Sequence, residues 1–145
     1  MSSITKKSRF SFAAAGLMAG ILATGWGIAA AAEVHTTLAG NNEVPAVTTP
    51  AKGSGVITVN PDMSLSGSVK TSGVDGTMAH IHQAAAGKNG PVIVPLEKKG
   101  ANEWVVPAGA KFTDVQYKAY KSGDLYYNVH SDAHKGGEIR GQLKP

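Results

Sequence analysis

Short segments of alternating apolar and polar residues run through the chain after residue 33, separated by Gly, Pro, Asn and Asp. Residues two apart in a strand share a face, so this alternation indicates strands with one buried face. The segment 113–121 differs, because it opens with capping-box spacing and predicts one short helix. The pattern predicts strands at 34–39, 55–60, 65–71, 78–82, 91–96, 103–106, 125–131 and 137–143.

The order of these elements predicts the fold class. About eight short strands, a single helix and no strand–helix–strand alternation are typical of an all-β domain. We therefore predict an antiparallel β-sandwich or a flattened Greek-key barrel.

The N-terminal segment has a different composition. Three basic residues precede position 10, and the stretch 10–32 is uncharged, mostly small and apolar, and ends in a run of alanines. This pattern predicts a secretory signal peptide over 1–32, with Glu33 opening a mature domain of 33–145 that is periplasmic or secreted. Contact with a membrane is then expected only through the signal before cleavage. The alternative is an uncleaved membrane anchor, since the apolar stretch is long enough to span a bilayer.

Charge and cysteine content exclude several classes of protein. The chain has 14 Lys and Arg against 10 Asp and Glu, and three of those cations lie in the signal, which leaves 14 − 3 = 11 against 10. No basic patch indicates nucleic-acid binding. The chain has no Cys, so no disulfide framework is expected, and the oligomeric state stays open.

The five histidines form the most informative pattern. His80 and His82 flank Ile81 in one predicted strand, so Ile81 should face the core and both imidazoles should face the other way. His35 and His130 also fall on the outward phase of their strands, and His134 follows in the last hairpin turn. If the strands are neighbours, these side chains converge on one patch of the sheet.

A convergence of imidazoles predicts a metal site. Neutral imidazole is the commonest protein ligand for metals, and nitrogen-only sites suit copper and zinc. The absence of thiolates and of a nearby acidic pair disfavours structural zinc and calcium. The alternative is that the histidines are solvated strand residues, with Asn128 and Glu138 as hydrogen-bond partners. Glu43, in the loop 41–50, is expected to be solvated or to cap a turn.

Three motifs resemble a known family. The segments LAGNNEVPAV (38–47), MAHIHQAAAGKNGPVIVPL (78–96) and GDLYYNVHSDAHKGGEIRGQL (123–143) are similar to those of the CHRD domain, named from chordin. They occur in the family's order and cover nearly all of 33–145. The resemblance implies a β-sandwich domain and leaves the function open.

A looser similarity concerns the chemistry of the site. An H-x-H pair on a strand, histidines on other strands and a nearby arginine resemble the copper site of Cu/Zn superoxide dismutases. The likeness implies copper bound by His80 and His82 with His130 and either His35 or His134, and Arg140 as the residue that attracts superoxide or another small anion. The chain lacks the disulfide and a recognisable zinc-binding subloop, so a copper-only site is expected. The alternatives are a non-enzymatic binding or structural module and a copper sequestration or delivery protein.

Overall fold

The structure is a computed structural model that describes residues 30–145. Most of the predicted signal, 1–32, lies outside the described residues. Among residues 30–145, no helix combines the length and apolar character needed to cross a membrane. The elements are β1 (Ala32–Ala39), a 3-10 turn (Gly40–Asn42), β2 (Lys52–Val59), β3 (Leu65–Ser72), β4 (Gly76–Gln83), β5 (Val92–Pro95), β6 (Glu97–Gly100), β7 (Glu103–Val105), α1 (Asp114–Lys121), β8 (Leu125–Ser131) and β9 (Ile139–Leu143).

The nine strands form one antiparallel sheet in the order β5-β4-β8-β9-β1-β2-β3-β7-β6. The two ends of this order, β5 and β6, are consecutive in the chain and are joined through Leu96. The backbone N–H of Leu96 donates to the carbonyl of Ala79 on β4, at 2.9 Å. A single extended segment, 92–100, thus pairs with β4 at one end and with β7 at the other, and the sheet curls into a nearly closed barrel. The predicted all-β fold is confirmed.

The inward strand faces supply the core. Ile81, Tyr127, Val129, Ile139 and Leu143 are each 0% exposed, which is the alternation expected from the sequence. The helix α1 begins at the predicted N-cap, where the Thr113 hydroxyl accepts from the Gln116 N–H at 3.2 Å and the Gln116 side chain accepts from the Thr113 N–H at 2.9 Å. This reciprocal pair satisfies two amides that a helix start leaves free.

One strand was missed by the prediction. The sequence of β6, Glu-Lys-Lys-Gly, has no apolar alternation, and all four of its residues are exposed. It is a strand because the chain after Leu96 stays extended and pairs with β7. This pairing is a tertiary contact, and the local pattern of apolar and polar residues does not predict it.

The outward face of β8 is covered rather than open. The strand is buried at every residue, so the alternative of a solvated strand histidine is wrong for His130. Two loops close over this face, the segments 40–47 and 84–91, and Asn89 ties them together by donating to the Val44 carbonyl at 2.7 Å. Polar side chains between the sheet and these loops therefore sit in a largely dehydrated layer.

Candidate metal centre

The pairing of β4 with its neighbours determines where its histidines lie. His80 and His82 share the outward face, with ring centroids 5.5 Å apart, as the parity of the strand predicts. Opposite them β5 carries a β-bulge, because Ile81 pairs with Val94 and His82 pairs with Val92. Bulges bend the strand locally and are common beside functional sites.

The neighbouring strand β8 brings His130 to the same place. The Nδ1 atom of His80 lies 3.0 Å from the Nε2 atom of His130, and the ring centroids of His82 and His130 are 5.8 Å apart. One ring nitrogen from each of the three residues lies within 4.8 Å of the others. The structure therefore brings together three of the five histidines, and we call them the histidine cluster: His80, His82 and His130.

Backbone carbonyls orient two of the imidazoles. His82 donates from Nδ1 to the Gly90 carbonyl at 2.9 Å, and His130 donates from Nδ1 to the Lys135 carbonyl at 3.0 Å. This tautomer leaves a lone pair on Nε2 of each ring, which is the usual way a protein holds a histidine ligand. The Nε2 atom of His82 is buried and has no hydrogen-bond partner in the described part of the chain. A buried acceptor without a partner is costly unless something else occupies the position.

The surroundings favour neutral rings. Burial, with the neighbouring His130 and His82, lowers the pKa of His80 to about 4. Burial likewise lowers the pKa of His82 and of His130 from the ordinary value of 6.5. Uncharged imidazoles can offer lone pairs to a metal ion at neutral pH without first losing a proton. His80 is the half-buried member, so its side of the cluster faces solvent.

The donor set fits copper or zinc. Three imidazole nitrogens with one open side are the arrangement of a three-histidine site that keeps a position for water or a substrate. Two ligand atoms at about 2.0–2.1 Å from a metal ion are at most about 4.2 Å apart. The ring nitrogens of the cluster lie within 4.8 Å of one another, so small rotations of the side chains would let them share one ion.

The other two histidines lie elsewhere. His35 is on β1, three strands from β4 in the sheet, with a side chain that is 75% exposed and 2.8 Å from a Glu33 oxygen. His134 lies in the turn between β8 and β9, where its backbone N–H donates to the carbonyl of Ser131 at 3.1 Å. Neither residue belongs to the group of ring nitrogens that the structure brings together.

Comparison with known families assigns the chain. The sequence model of the CHRD domain matches residues 34–143, which is most of the chain and contains all five histidines. The chain belongs to the CHRD domain family. No curated protein and no solved structure matches it. The CHRD domain thus accounts for the whole barrel, from β1 to β9.

Arg140 of this CHRD domain lies beside the cluster but does not face it. It is on β9, 1% exposed, with its guanidinium carbon 3.4 Å from the centroid of the Tyr126 ring. Tyr126 is on β8 and stacks with His82, with centroids 4.9 Å apart and planes 9° from parallel. Because β8 lies between β4 and β9, Tyr126 separates the guanidinium from the histidine cluster.

Sequence reasoning missed a buried acid–amide pair near the site. Asn128 donates from Nδ2 to both carboxylate oxygens of Glu43, at 3.1 and 3.0 Å. Glu43 is only 6% exposed, so the expectation of a solvated or turn-capping residue is wrong. Its loop folds back over β8, and burial raises its pKa to about 7. The sequence contained one signal of this pair: Asn128 lies on the outward face of its strand, between Tyr126 and His130.

Proposed function

We propose that this CHRD domain is an exported copper-binding protein whose ligands are His80, His82 and His130. The observation that supports the proposal is the pair of carbonyl-oriented rings: the Nε2 atom of His82 has no partner among the described residues, and the Nε2 atom of His130 lies 3.0 Å from Nδ1 of His80. Copper binds nitrogen ligands more tightly than zinc does in the usual order of divalent metals. His35 and His134 take no part in this site.

A titration tests the proposal. We expect the purified protein to bind one Cu(II) per chain, with an electron paramagnetic resonance spectrum of nitrogen ligation. We expect His82→Ala and His130→Ala each to weaken copper binding, because each removes a ligand. The loss should exceed the roughly 10–100-fold loss that follows removal of a residue that only supports a ligand. His35→Ala is the matched control, because it removes an exposed imidazole outside the cluster. Absence of stoichiometric copper, or equal losses in all three variants, would refute the proposal.

Superoxide dismutation is a second candidate function of the same site. Two observations favour it: His80 is half-buried and leaves an open side, and Arg140 lies behind Tyr126, which itself stacks on His82, so its positive charge is near the metal centre. Copper bound by imidazoles can alternate between two oxidation states, and a nearby cation raises the on-rate of a small anion.

The copper-loaded protein should therefore consume superoxide, and Arg140→Met should slow consumption at low salt while copper stays bound. Tight copper without turnover would leave sequestration or delivery as the function. Met78 pairs with His130 across the strands, is 49% exposed and offers a soft sulfur donor for such transfer. A protein that binds no copper would be a structural or binding module.

A further inference from the structure

Met78 is an exposed apolar side chain at the edge of the histidine cluster. It is 49% exposed, whereas Met63 packs against the hydrophobic core. Met78 lies on β4 two residues before His80, on the same face of the strand. Its partner on the neighbouring strand is His130. The side chain is therefore accessible beside two of the three clustered imidazoles.

A β-bulge gives Met78 this orientation. Gly76 is buried, faces the core and pairs with Ser131. The next pair is Met78 with His130, so two steps along β4 match one step along β8. Strict alternation from Gly76 would turn residue 78 inward as well, and the bulge shifts the phase so that Met78 faces outward with His80. Bulges of this kind re-aim side chains beside functional sites.

The thioether of Met78 is within reach of the cluster. Residues directly opposite each other in an antiparallel pair have Cβ atoms about 4.5–5.5 Å apart, which applies to Met78 and His130. Residues two apart on one strand are about 6.4–6.8 Å apart, which applies to Met78 and His80. Methionine is unbranched and has three rotatable bonds, so its sulfur can turn toward either neighbour. Because His80 is the half-buried member of the cluster, Met78 adjoins the side that faces solvent.

We propose that Met78 is a ligand for Cu(I) but not for Cu(II), an inference that rests on the copper site proposed above. Thioether sulfur is a soft donor that selects Cu(I), whereas imidazole nitrogen suits copper generally. The histidine cluster holds Cu(II) alone, and Cu(I) supplied as such gains the sulfur as an additional ligand. The same site therefore distinguishes the two ions by a side chain that only one of them uses.

Titration with Ag(I), a soft ion of the same charge as Cu(I) that does not change oxidation state, tests the proposal. The purified protein is isotope-labelled in its methionine methyl groups, and NMR spectra are recorded as Ag(I) is added. We expect the Met78 methyl signal to shift and to saturate at one Ag(I) per chain. The Met63 signal, from the turn between β2 and β3, should stay in place. No saturable shift of the Met78 signal, or equal shifts of both signals, would overturn the proposal.

Affinities for the two copper ions, measured by competition with chelators, test the selectivity. Met78→Leu conserves volume at an exposed position, so the variant should fold normally. It should weaken Cu(I) binding by at least about tenfold, as loss of a ligand does, and leave Cu(II) binding unchanged. A tenfold loss confined to Cu(I) lowers the reduction potential of the bound copper by about 59 mV. Met63→Leu removes the other sulfur of residues 33–145 and should change neither affinity.

The outcomes for this inference and for the copper site are distinguishable. If Cu(II) binds and Met78→Leu leaves the affinity for Cu(I) unchanged, the inference fails and the histidine site stands. If Met78→Leu weakens binding of both ions equally, the sulfur does not discriminate between them and the inference again fails. If the unmodified protein binds neither ion, the proposed copper site fails and this inference fails with it.

Discussion

A single buried residue, Glu43, makes the stability of the domain depend on pH. In the folded protein its pKa is about 7, well above the ordinary value of 4.5, and burial is the main cause. A group with a raised pKa binds a proton more tightly in the folded state than in the unfolded state. Its contribution to stability is therefore present at low pH and is lost as the pH rises through about 7.

We expect Glu43→Gln to gain stability relative to the unmodified protein as the pH rises from 5 to 8. Gln keeps an acceptor for Asn128 but cannot ionise, so the variant avoids the cost of a buried carboxylate. The histidines, whose lowered pKa values act in the opposite direction, are present in both proteins and cancel. Urea unfolding at several pH values measures the difference.

The control for this comparison is Glu97→Gln, which changes an exposed acid on β6. Its stability difference from the unmodified protein should be nearly constant over the same range. Parallel pH profiles for Glu43→Gln and the unmodified protein would show that the carboxyl group titrates as it does in the unfolded chain.

At the scale of single residues, the sequence predicted which side chains share a face of a strand but not what those side chains contact. Strand parity correctly put His80 and His82 opposite Ile81. The hydrogen bonds that orient His82 and His130 come from carbonyls of Gly90 and Lys135, and a backbone carbonyl leaves no mark in the residue pattern. The site's ligand geometry was therefore beyond what parity could predict.

At the scale of elements, the loop 84–91 connects the metal centre to the rest of the outward face. Gly90 accepts from His82 through its carbonyl, donates from its N–H to the Tyr126 hydroxyl at 3.2 Å, and lies where the chain turns back toward β5. A side chain at this position would collide with the backbone carbonyl oxygen of Gln83. The loop's conformation thus depends on glycine for close packing.

Gly90→Ala should weaken copper binding by roughly 10–100-fold, the usual effect of losing a partner that orients a ligand. The methyl group must displace the loop, which moves the Gly90 carbonyl away from Nδ1 of His82. A copper titration measures the effect, and far-ultraviolet circular dichroism checks that the sheet persists.

Gly100→Ala is the control, because a methyl group there meets open space. It should leave copper affinity unchanged. If Gly90→Ala lowers thermal stability but binds copper normally, the carbonyl has no role in holding the ring of His82.

For the whole molecule, the segment 92–100 joins the two ends of the sheet. Leu96 is the link between β5 and β6, with 8% of its surface exposed and its N–H bonded to Ala79. Alternation correctly predicted the all-β class, since it reports on each strand separately. It could not predict that β5 and β6 belong to opposite ends of the strand order, because that order depends on contacts between residues distant in the chain.

We expect Leu96→Ala to cost about 2–5 kcal/mol of unfolding free energy, as for other buried leucines. Amide exchange should quicken on both sides of the link, in the β4–β5 pair and in the β6–β7 pair. Urea unfolding and hydrogen exchange followed by mass spectrometry measure the two effects.

The matched comparison is Val92→Ala in the same segment, at a position 46% exposed, where the loss should be much smaller. Faster exchange limited to the β4–β5 pair after Leu96→Ala would mean that the two ends of the sheet open independently.

The near closure of the sheet also bears on how molecules of this protein behave toward one another. A free strand edge can recruit an identical chain and start aggregation. Here the two terminal strands are only four residues long. β5 ends in a proline, and β6 carries Glu97, Lys98 and Lys99, which are features that discourage strand addition. The barrel therefore offers little unpaired backbone edge at which a strand of a second copy could add.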